Sequence, residues 1–298
     1  MSFSSNVKAE LCRNPLHKAC CAVAEAYGVV LFCNTFSASG IRIVTENRDF
    51  AQRLPKLFHK AFGLDFDTMP DSDQGKQIYA VENPEKLQRI FAAFGLDAAS
   101  TVTLHVNLSV LEDECCRVSF LRGAFLAGGS VTDPEKRYHL ELATSHLKVS
   151  REVYSLMLEL GFAVKDTTRS GSYILYFKQS DYIEDILTAL GAPVCAMHIM
   201  EAKVEKDLRN GVNRRVNCET ANLTKVVDAA QEQLSAIRRL EASGQFNELP
   251  DKLRKTALLR KEYPEATLSE LAQMQDPPLT KSAMNHRMRK LVELSKQM

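Results

Sequence analysis

Six polar or basic side chains fall along the last predicted helix of the chain, toward its outward face and N-terminal half. They are Lys281, Ser282, Asn285, His286, Arg289 and Lys290. On duplex DNA an asparagine can pair with adenine and an arginine with guanine, whereas lysines suit phosphate oxygens. A solvated face is the competing interpretation, and His286 fits an interfacial histidine that hydrogen-bonds its neighbours equally well.

The segments around this helix have the pattern of a helix-turn-helix. The predicted buried face of the last helix consists of Met284, Met288, Leu291 and Val292. A first helix is predicted over Leu249 to Lys261, and the capping-box pattern Thr267 to Glu270 starts a short second one that ends near residue 275. The prolines of 276–279 predict a turn, after which Thr280 caps a helix to about residue 295. In such a motif the N-terminal residues of the last helix contact base edges.

Charge is distributed unevenly along the 298 residues, although the net charge is only +1. From Pro250 to Met298, ten Lys and Arg oppose six Asp and Glu, which gives about +4 there and leaves about −3 for the rest. A basic segment attached to a slightly acidic body indicates a nucleic-acid contact at the C-terminal end. The length predicts at least two domains.

No apolar run of membrane-spanning length and no signal-peptide pattern occurs in the sequence. We therefore expect a cytoplasmic, nucleoid-associated protein that neither spans a membrane nor is secreted. The eight cysteines include two adjacent pairs, Cys20-Cys21 and Cys115-Cys116. Neither pair has a Cys-x-x-Cys or Cys/His spacing, and adjacent side chains on a helix point about 100° apart. We interpret them as reduced, buried structural cysteines and expect no metal and no cofactor.

The order of predicted elements occurs twice, which indicates an internal duplication and an α+β fold class. The first copy has helices over 17–26, 46–62 and 83–94 and strands over 29–34, 40–45, 64–69 and 77–81. The second has helices over 113–127, 146–160 and 180–190 and strands over 129–131, 138–143, 162–166 and 173–177. Aligning Gly28 with Gly129 gives an offset of 101 between the copies. Residues 1–14 are expected to form a short strand or arm, and Pro55 predicts a kink or a late helix start.

A connecting helix is predicted over residues 219–242, after a strand or helix over 191–211. The predicted domains are therefore a first repeat over 1–110, a second repeat over 111–203, a connecting segment over 204–245 and a helix-turn-helix domain over 246–298.

Small residues in the helix over 113–127 predict close contact with a second helix. Gly123, Ala124 and Ala127 leave room for a neighbouring backbone, and the helix breaks at Gly128-Gly129. The predicted partner is the helix over His17 to Ala26.

The segment Leu121 to Val131 resembles the signature helix of the LAGLIDADG homing endonucleases. The resemblance implies an αββαββα repeat whose two signature helices pack at a pseudo-two-fold axis, with four-stranded sheets forming a saddle over DNA. In that family each signature helix ends in an acidic residue that holds a divalent metal for phosphodiester cleavage. The matching positions are Gly128 and Tyr27, while Glu25 and Asp133 lie away from them. The resemblance therefore implies the fold without the enzyme activity, and no catalytic residue is expected.

Several further segments resemble the WhiA family of bacterial regulators linked to sporulation and cell division. They are Cys115 to Arg117, Phe120 to Val131, Asp133-Pro134, Tyr138 to Glu141, Asn217 to Asn222 and Asn285 to Leu291. This resemblance, which spans about residue 15 to the end, implies a degenerate endonuclease domain joined to a helix-turn-helix that binds promoter DNA. The expected function is sequence-specific transcription regulation, with RNA polymerase or another regulator as a further partner. An active nuclease is one competing hypothesis. The other is a protein- or ligand-binding scaffold that uses DNA only as an anchor, which the slightly acidic body favours.

Overall fold

The computed structural model describes residues 2–72, 75–97 and 103–297, and the chain divides into two compact units. The first unit, Met1–Lys206, mixes helices with two sheets, and the second, Asp207–Met298, is helical. Each unit has a hydrophobic core of its own. The predicted α+β class with a helical C-terminal part is therefore confirmed. Among the described residues, no helix has the length and apolar character needed to cross a membrane.

The first unit repeats the order of helices and antiparallel strands. In chain order its elements are α1 (Phe3–Cys12), α2 (Ala19–Phe32), β1 (Thr35–Ser37), β2 (Gly40–Thr45), α3 (Arg48–Phe62), β3 (Gln77–Val81), α4 (Pro84–Ala93), α5 (Glu114–Gly128), β4 (Gly129–Val131), β5 (Leu140–Thr144), α6 (Leu147–Glu159), β6 (Lys165–Arg169), β7 (Ser172–Phe177) and α7 (Ser180–Leu190). The next helix, α8 (Pro193–Ala242), includes the residue at which the two units divide. The second unit continues with α9 (Asp251–Glu262), α10 (Leu268–Gln273) and α11 (Lys281–Lys296).

Helices α2 and α5 pack against each other at the centre of the first unit, with their backbones in close contact. A Cβ atom at Gly28 would lie 2.0 Å from the carbonyl oxygen of Phe120, and one at Gly123 would lie 2.0 Å from that of Glu25. A glycine is therefore required at both positions of this contact. Ala124 is fully buried beside it.

The same contact corrects the predicted alignment of the two copies. Gly28 and Gly123 occupy equivalent places and are 95 positions apart, so the predicted offset of 101 is wrong. The two helices run in the same direction, because Phe32 at the end of α2 lies against Gly128 at the end of α5.

Helix α2 is longer than the sequence predicted. It passes through Gly28 and ends at Phe32, so the predicted strand over 29–34 is wrong for most of its length. Val29, Val30 and Leu31 are almost completely buried, on every side of the helix. A short run of apolar residues has no period that separates a buried helix from a buried strand.

The N-terminal segment forms helix α1 rather than the expected strand or arm. Val7 and Leu11, one helical turn apart, are fully buried, and the hydroxyl of Ser2 accepts a hydrogen bond from the amide of Ser5. An N-cap and a single buried stripe stabilise this short helix against the core. Helix α3 contains Pro55 and begins seven residues before it, so the helix does not start at the proline.

The first sheet has the order β1-β2-β3, whereas the second has the order β4-β5-β7-β6. The predicted strand over 64–69 is reduced to an isolated bridge between Thr68 and Ala80. The carboxylate of Asp67 accepts hydrogen bonds from the amides of Glu82 (2.7 Å) and Asn83 (2.8 Å), so a side chain holds much of this segment. In the second sheet the strand predicted over 162–166 lies at Lys165–Arg169. Within the described residues the sheets therefore have three and four strands rather than four each.

A second hydrophobic core joins the C-terminal part of α8 to the last three helices. Its buried members include Ile237, Leu240, Leu253, Ala257, Leu271, Met284, Met288 and Leu291. The two predicted segments over 191–211 and 219–242 form one helix, α8. A glycine in a helix costs only about 1 kcal/mol relative to alanine, so Gly211 does not end α8.

We expect Gly123→Ala to destabilise the first unit by about 1–3 kcal/mol, because the added methyl group must displace the α2 backbone. Gly211→Ala is the matched control, since nothing lies within 4 Å of a Cβ there. It should leave stability unchanged or raise it by up to about 1 kcal/mol. Chemical denaturation followed by circular dichroism measures both, and equal stabilities would contradict the close contact of α2 and α5.

Candidate nucleic-acid interface

Helix α10 begins with a complete capping box. The hydroxyl of Thr267 accepts a hydrogen bond from the amide of Glu270 (3.3 Å), and the Glu270 carboxylate accepts one from the amide of Thr267 (2.7 Å). The hydrogen bond from the Thr267 amide lowers the pKa of Glu270 below its usual value, and the interaction with the Thr267 side chain lowers it further. Two amides at the start of a short helix are thereby satisfied, which fixes where α10 begins.

The turn after α10 leads directly into α11. The amide of Leu279 donates to the carbonyl oxygen of Ala272 (2.8 Å), which ties the turn back to α10. The hydroxyl of Thr280 then accepts from the amide of Ala283 (3.2 Å) and caps α11. The helix-turn-helix geometry thus arises from two capped helices and one backbone hydrogen bond.

Helix α11 has one buried face and one exposed face. Met284, Met288 and Leu291 are buried, whereas Val292, predicted for the same face, is half-buried. The exposed face carries five of the six predicted residues, namely Lys281, Ser282, His286, Arg289 and Lys290. Asn285 is half-buried between the two faces. The structure therefore brings the six side chains onto one side of a single helix.

The basic residues of this module fall into two groups. Lys255 pairs with Asp251 at 3.4 Å, and Lys296 pairs with Glu232 at 2.8 Å. Within the described ranges, Lys281, Arg289 and Lys290 form no ion pair. Cations without a carboxylate partner remain available to an external anion such as a phosphate.

Arg260, which the sequence analysis did not single out, holds the loop before α10. It is 2% exposed. Its guanidinium donates to the carbonyl oxygens of Pro264 (3.3 Å) and Ala266 (2.6 Å) and to the side-chain oxygen of Gln233 (3.0 Å). An arginine with several fixed donors connects α8 to the entry of α10. Its sequence position gives no sign of this, since it lies among other basic residues.

Arg287 has a similar internal role, although it lies between two candidate contact residues. It is half-buried and donates to the side-chain oxygens of Gln275 (3.4 Å) and Thr256 (3.5 Å). These contacts hold α11 against α9 and the end of α10. Arg287 therefore belongs to the support of the exposed face rather than to that face.

Glu25 is held in a buried ion-pair network in the first unit. It is 1% exposed, and its carboxylate accepts from Arg53 at 2.6 and 2.9 Å and from Arg122 at 3.4 Å. Arg53 also donates to the carbonyl oxygens of Cys12 (2.9 Å) and Asn14 (2.7 Å). Glu25 thus links α2 to α3 and α5, and two arginines occupy the oxygens that a metal ion would need.

The ends of α2 and α5 carry no carboxylate at equivalent positions. The residue 95 positions before Gly128 is Cys33, so Tyr27 is not the matching residue. A Cβ at Gly128 would lie 2.6 Å from the carbonyl oxygen of Ala143, which leaves no space for an acidic side chain there. The Tyr27 hydroxyl instead donates to the carbonyl oxygen of His105 (2.7 Å) from within the core.

The comparisons with known proteins match both parts of the chain. Residues 117–209 match the model of the WhiA LAGLIDADG-like domain, and residues 212–295 match that of the WhiA C-terminal HTH domain. The crystal structure of full-length WhiA from Thermotoga maritima has the same fold, with a TM-score of 0.60 and 22% identity, over 100% of this chain and 99% of that one. Fold and surface thus define a protein in which a degenerate LAGLIDADG-like domain precedes a helix-turn-helix domain.

Curated relatives match along the full length. The probable cell division protein WhiA of Ruminiclostridium cellulolyticum is 39% identical over 99% of this chain and 97% of its own length. Its counterpart from Alkaliphilus metalliredigens is 37% identical over 99% of this chain and 98% of its own length. The chain belongs to the WhiA family.

We expect Glu25→Ala to destabilise the first unit by about 3–5 kcal/mol, because it leaves two largely buried arginines without their carboxylate. Glu46→Ala, a change of the same kind at an exposed position, should alter stability by less than about 0.5 kcal/mol. Urea denaturation of both variants measures the difference. A Glu25→Ala protein as stable as the Glu46→Ala control would contradict the structural role of Glu25.

Proposed function

We propose that this protein is a sequence-specific DNA-binding transcription regulator that reads its operator through α11. The observation that supports this proposal is the exposed face of α11, where Lys281, Arg289 and Lys290 lack ion pairs among the described residues. The capped α10, the turn and the internal Arg260 and Arg287 hold that face outward.

Each side chain on this face suits a different part of the DNA. Arg289 fits the two acceptors of a guanine, and Asn285 fits the donor and acceptor of an adenine. Lys281 and Lys290 suit phosphates, which fix the register of the helix in the major groove. Ser282 can contact either base or backbone. His286 is exposed, and we propose it as a base contact rather than an interfacial residue.

The names of the curated relatives suggest which cellular process the regulated genes serve. Because these relatives are named probable cell division proteins, we propose that the target promoters serve cell division. Sporulation, which the family resemblance implies, is the alternative process that we propose. RNA polymerase or another regulator is the second partner that such a role requires. The protein would then act in the cytoplasm, at the nucleoid.

Arg289→Ala should cost about 1–3 kcal/mol in binding to the operator if Arg289 reads a base. Genome-wide footprinting first locates the operators, and fluorescence anisotropy then measures affinity for an operator and for unrelated DNA. The ratio of the two affinities should fall by about 5–150-fold. Lys255→Ala, which removes a basic residue already paired on α9, is the control.

A phosphate contact gives a different result. Lys281→Ala should weaken binding to both DNAs alike. It should also reduce the slope of log affinity against log salt concentration by about one, because one fewer phosphate is neutralised.

An unchanged affinity ratio for Arg289→Ala would mean that this residue does not specify sequence. Unchanged binding by the triple variant of Lys281, Arg289 and Lys290 would place the DNA on another surface.

We also propose that the first unit does not cleave DNA, because Gly128 and Cys33 offer no pair of carboxylates and Glu25 is held by two arginines. Operator DNA incubated with the protein and Mg²⁺ or Mn²⁺ should remain intact, as judged by denaturing gel electrophoresis. Metal-dependent cutting that copurifies with the wild-type protein would contradict the proposal.

A binding scaffold is the second candidate function of the first unit. Glu141 lies on the inner strand β5, 3.1 Å from His139 and 3.3 Å from Arg169. Partial burial alone would raise the pKa of Glu141. The hydrogen bond from His139 and the charge of Arg169 outweigh this effect and hold the pKa below its usual value, so the carboxylate stays ionised. Arg169 offsets the charge of Glu141, but the slightly acidic body still favours a protein or small-molecule ligand over DNA on this unit.

A further inference from the structure

Four cysteines meet where the first turns of α2 and α5 lie side by side. Cys20 and Cys21 are in the first turn of α2, and Cys115 and Cys116 are in the first turn of α5. The pairs are 95 positions apart, the same separation as that of the two glycines in the helix contact. Because the helices run in the same direction in close contact, their equivalent first turns are neighbours.

The sulfur atoms are near the spacing of a tetrahedral metal centre. Those of Cys20, Cys21 and Cys116 all lie within 4.8 Å of one another, and those of Cys115 and Cys116 are also within 4.8 Å. The Cys116 sulfur thus lies within 4.8 Å of the sulfurs of both α2 cysteines, across the helix contact, and of its neighbour Cys115. A zinc–sulfur bond of 2.3 Å places tetrahedral ligands about 3.8 Å apart. The distances among Cys20, Cys21 and Cys116, and that from Cys116 to Cys115, therefore need to shorten by no more than about 1 Å, and the Cys115 side chain must also move toward the two α2 cysteines.

Burial, followed by the neighbouring thiols, raises the pKa of Cys21 and Cys116 and so disfavours bare thiolates. The two helix ends act in the opposite direction. Neither Lys18 nor Asp113, the N-cap residues of the two helices, caps its helix with its side chain. The positive ends of both helix dipoles therefore face the cysteines, and such ends stabilise thiolates. The ammonium of Lys18 lies 3.9 Å from the Cys115 sulfur. Asp113 and Glu114 bring negative charge to the same end of α5, which opposes bare thiolates and favours a bound cation.

An ion can reach this cluster from solvent. Cys20 is exposed, Cys21 and Cys115 are half-buried, and Cys116 is buried. The expectation that both pairs are buried is therefore wrong for Cys20. A cavity of about 570 Å³ opens beside the cluster and is lined in part by Cys21, Cys115 and His17. Such a cavity gives an entry path and space for the ligands to adjust.

We propose that Cys20, Cys21, Cys115 and Cys116 bind one thiophilic divalent cation, zinc by preference, and that this ion joins the first turns of α2 and α5. Sulfur ligands select zinc over magnesium or calcium, and four of them form a closed structural site rather than a catalytic one. The ion connects the two repeats at the end of the helix pair opposite to β1 and β4. This role is independent of DNA reading by α11.

The test uses the untagged full-length protein, purified with a reductant and dialysed against zinc. Mass spectrometry of the bound metal should give one zinc per chain. Replacement of zinc by cobalt should give the thiolate charge-transfer band and the intense visible bands of tetrahedral sulfur ligation. Addition of a chelator should lower the melting temperature of the first unit.

Cys20→Ser and Cys116→Ser each remove one ligand, and Cys218→Ser is the control. Cys20 and Cys218 are both exposed, so neither change disturbs a packed core. We expect zinc affinity to fall more than about 100-fold in both ligand variants, since loss of a residue that merely supports a ligand already costs about 10–100-fold. The control should keep the full zinc content, and circular dichroism verifies that Cys20→Ser is folded.

One zinc per chain, tetrahedral cobalt bands and their loss in Cys20→Ser but not in Cys218→Ser would support the proposal. Three results would overturn it. They are reduced wild-type protein without zinc, full zinc affinity in Cys20→Ser, and zinc-free protein whose mass is lower by two hydrogen atoms per cysteine pair after aerobic zinc treatment. The last result would assign the cluster to disulfides instead.

Discussion

The first unit depends on how closely the α2 and α5 backbones approach. Gly28 and Gly123 are the residues that allow this distance, since a methyl group at either would meet a carbonyl oxygen. The close approach lets short side chains on one helix reach the other. Glu25 of α2 contacts Arg122 of α5 at 3.4 Å, and the sulfurs of Cys20 and Cys21 lie within 4.8 Å of that of Cys116. Wider spacing would separate both sets of partners and leave a buried carboxylate without one of its arginines.

The same contact supports the proposal that the first unit does not cleave DNA. A metal-dependent nuclease needs carboxylates that project from its signature helices toward DNA. Here the carboxylate of α2 lies inside the protein, where Arg53 and Arg122 neutralise it. At the other candidate position, the carbonyl oxygen of Ala143 leaves Gly128 no space for a side chain. These charged groups thus join helices inside the unit, and the end of α5 meets its sheet through Gly128 and Gly129.

Three arginines of the second unit have three different environments. Arg260 is buried and holds the loop before α10, Arg287 is half-buried and holds α11 against its neighbours, and Arg289 is exposed. All three carry the same charge, but only an exposed and unpaired one can contact an external phosphate or base. The surface proposed to read DNA is therefore created by the packing of Met284 and Met288, which fixes the rotation of α11.

The sequence by itself determined the elements with strong local signals. The capping box, the proline turn and the methionine spacing of α11 predicted the helix-turn-helix, because each involves residues a few positions apart. The sequence did not determine the length of α2, the reduction of the strand near Thr68 or the offset between the repeats. An apolar run has no period that distinguishes a buried helix from a strand. Only the tertiary structure decided the roles of Glu25 and Arg260 and the meeting of Cys21 with Cys116, because their partners lie far away in the chain.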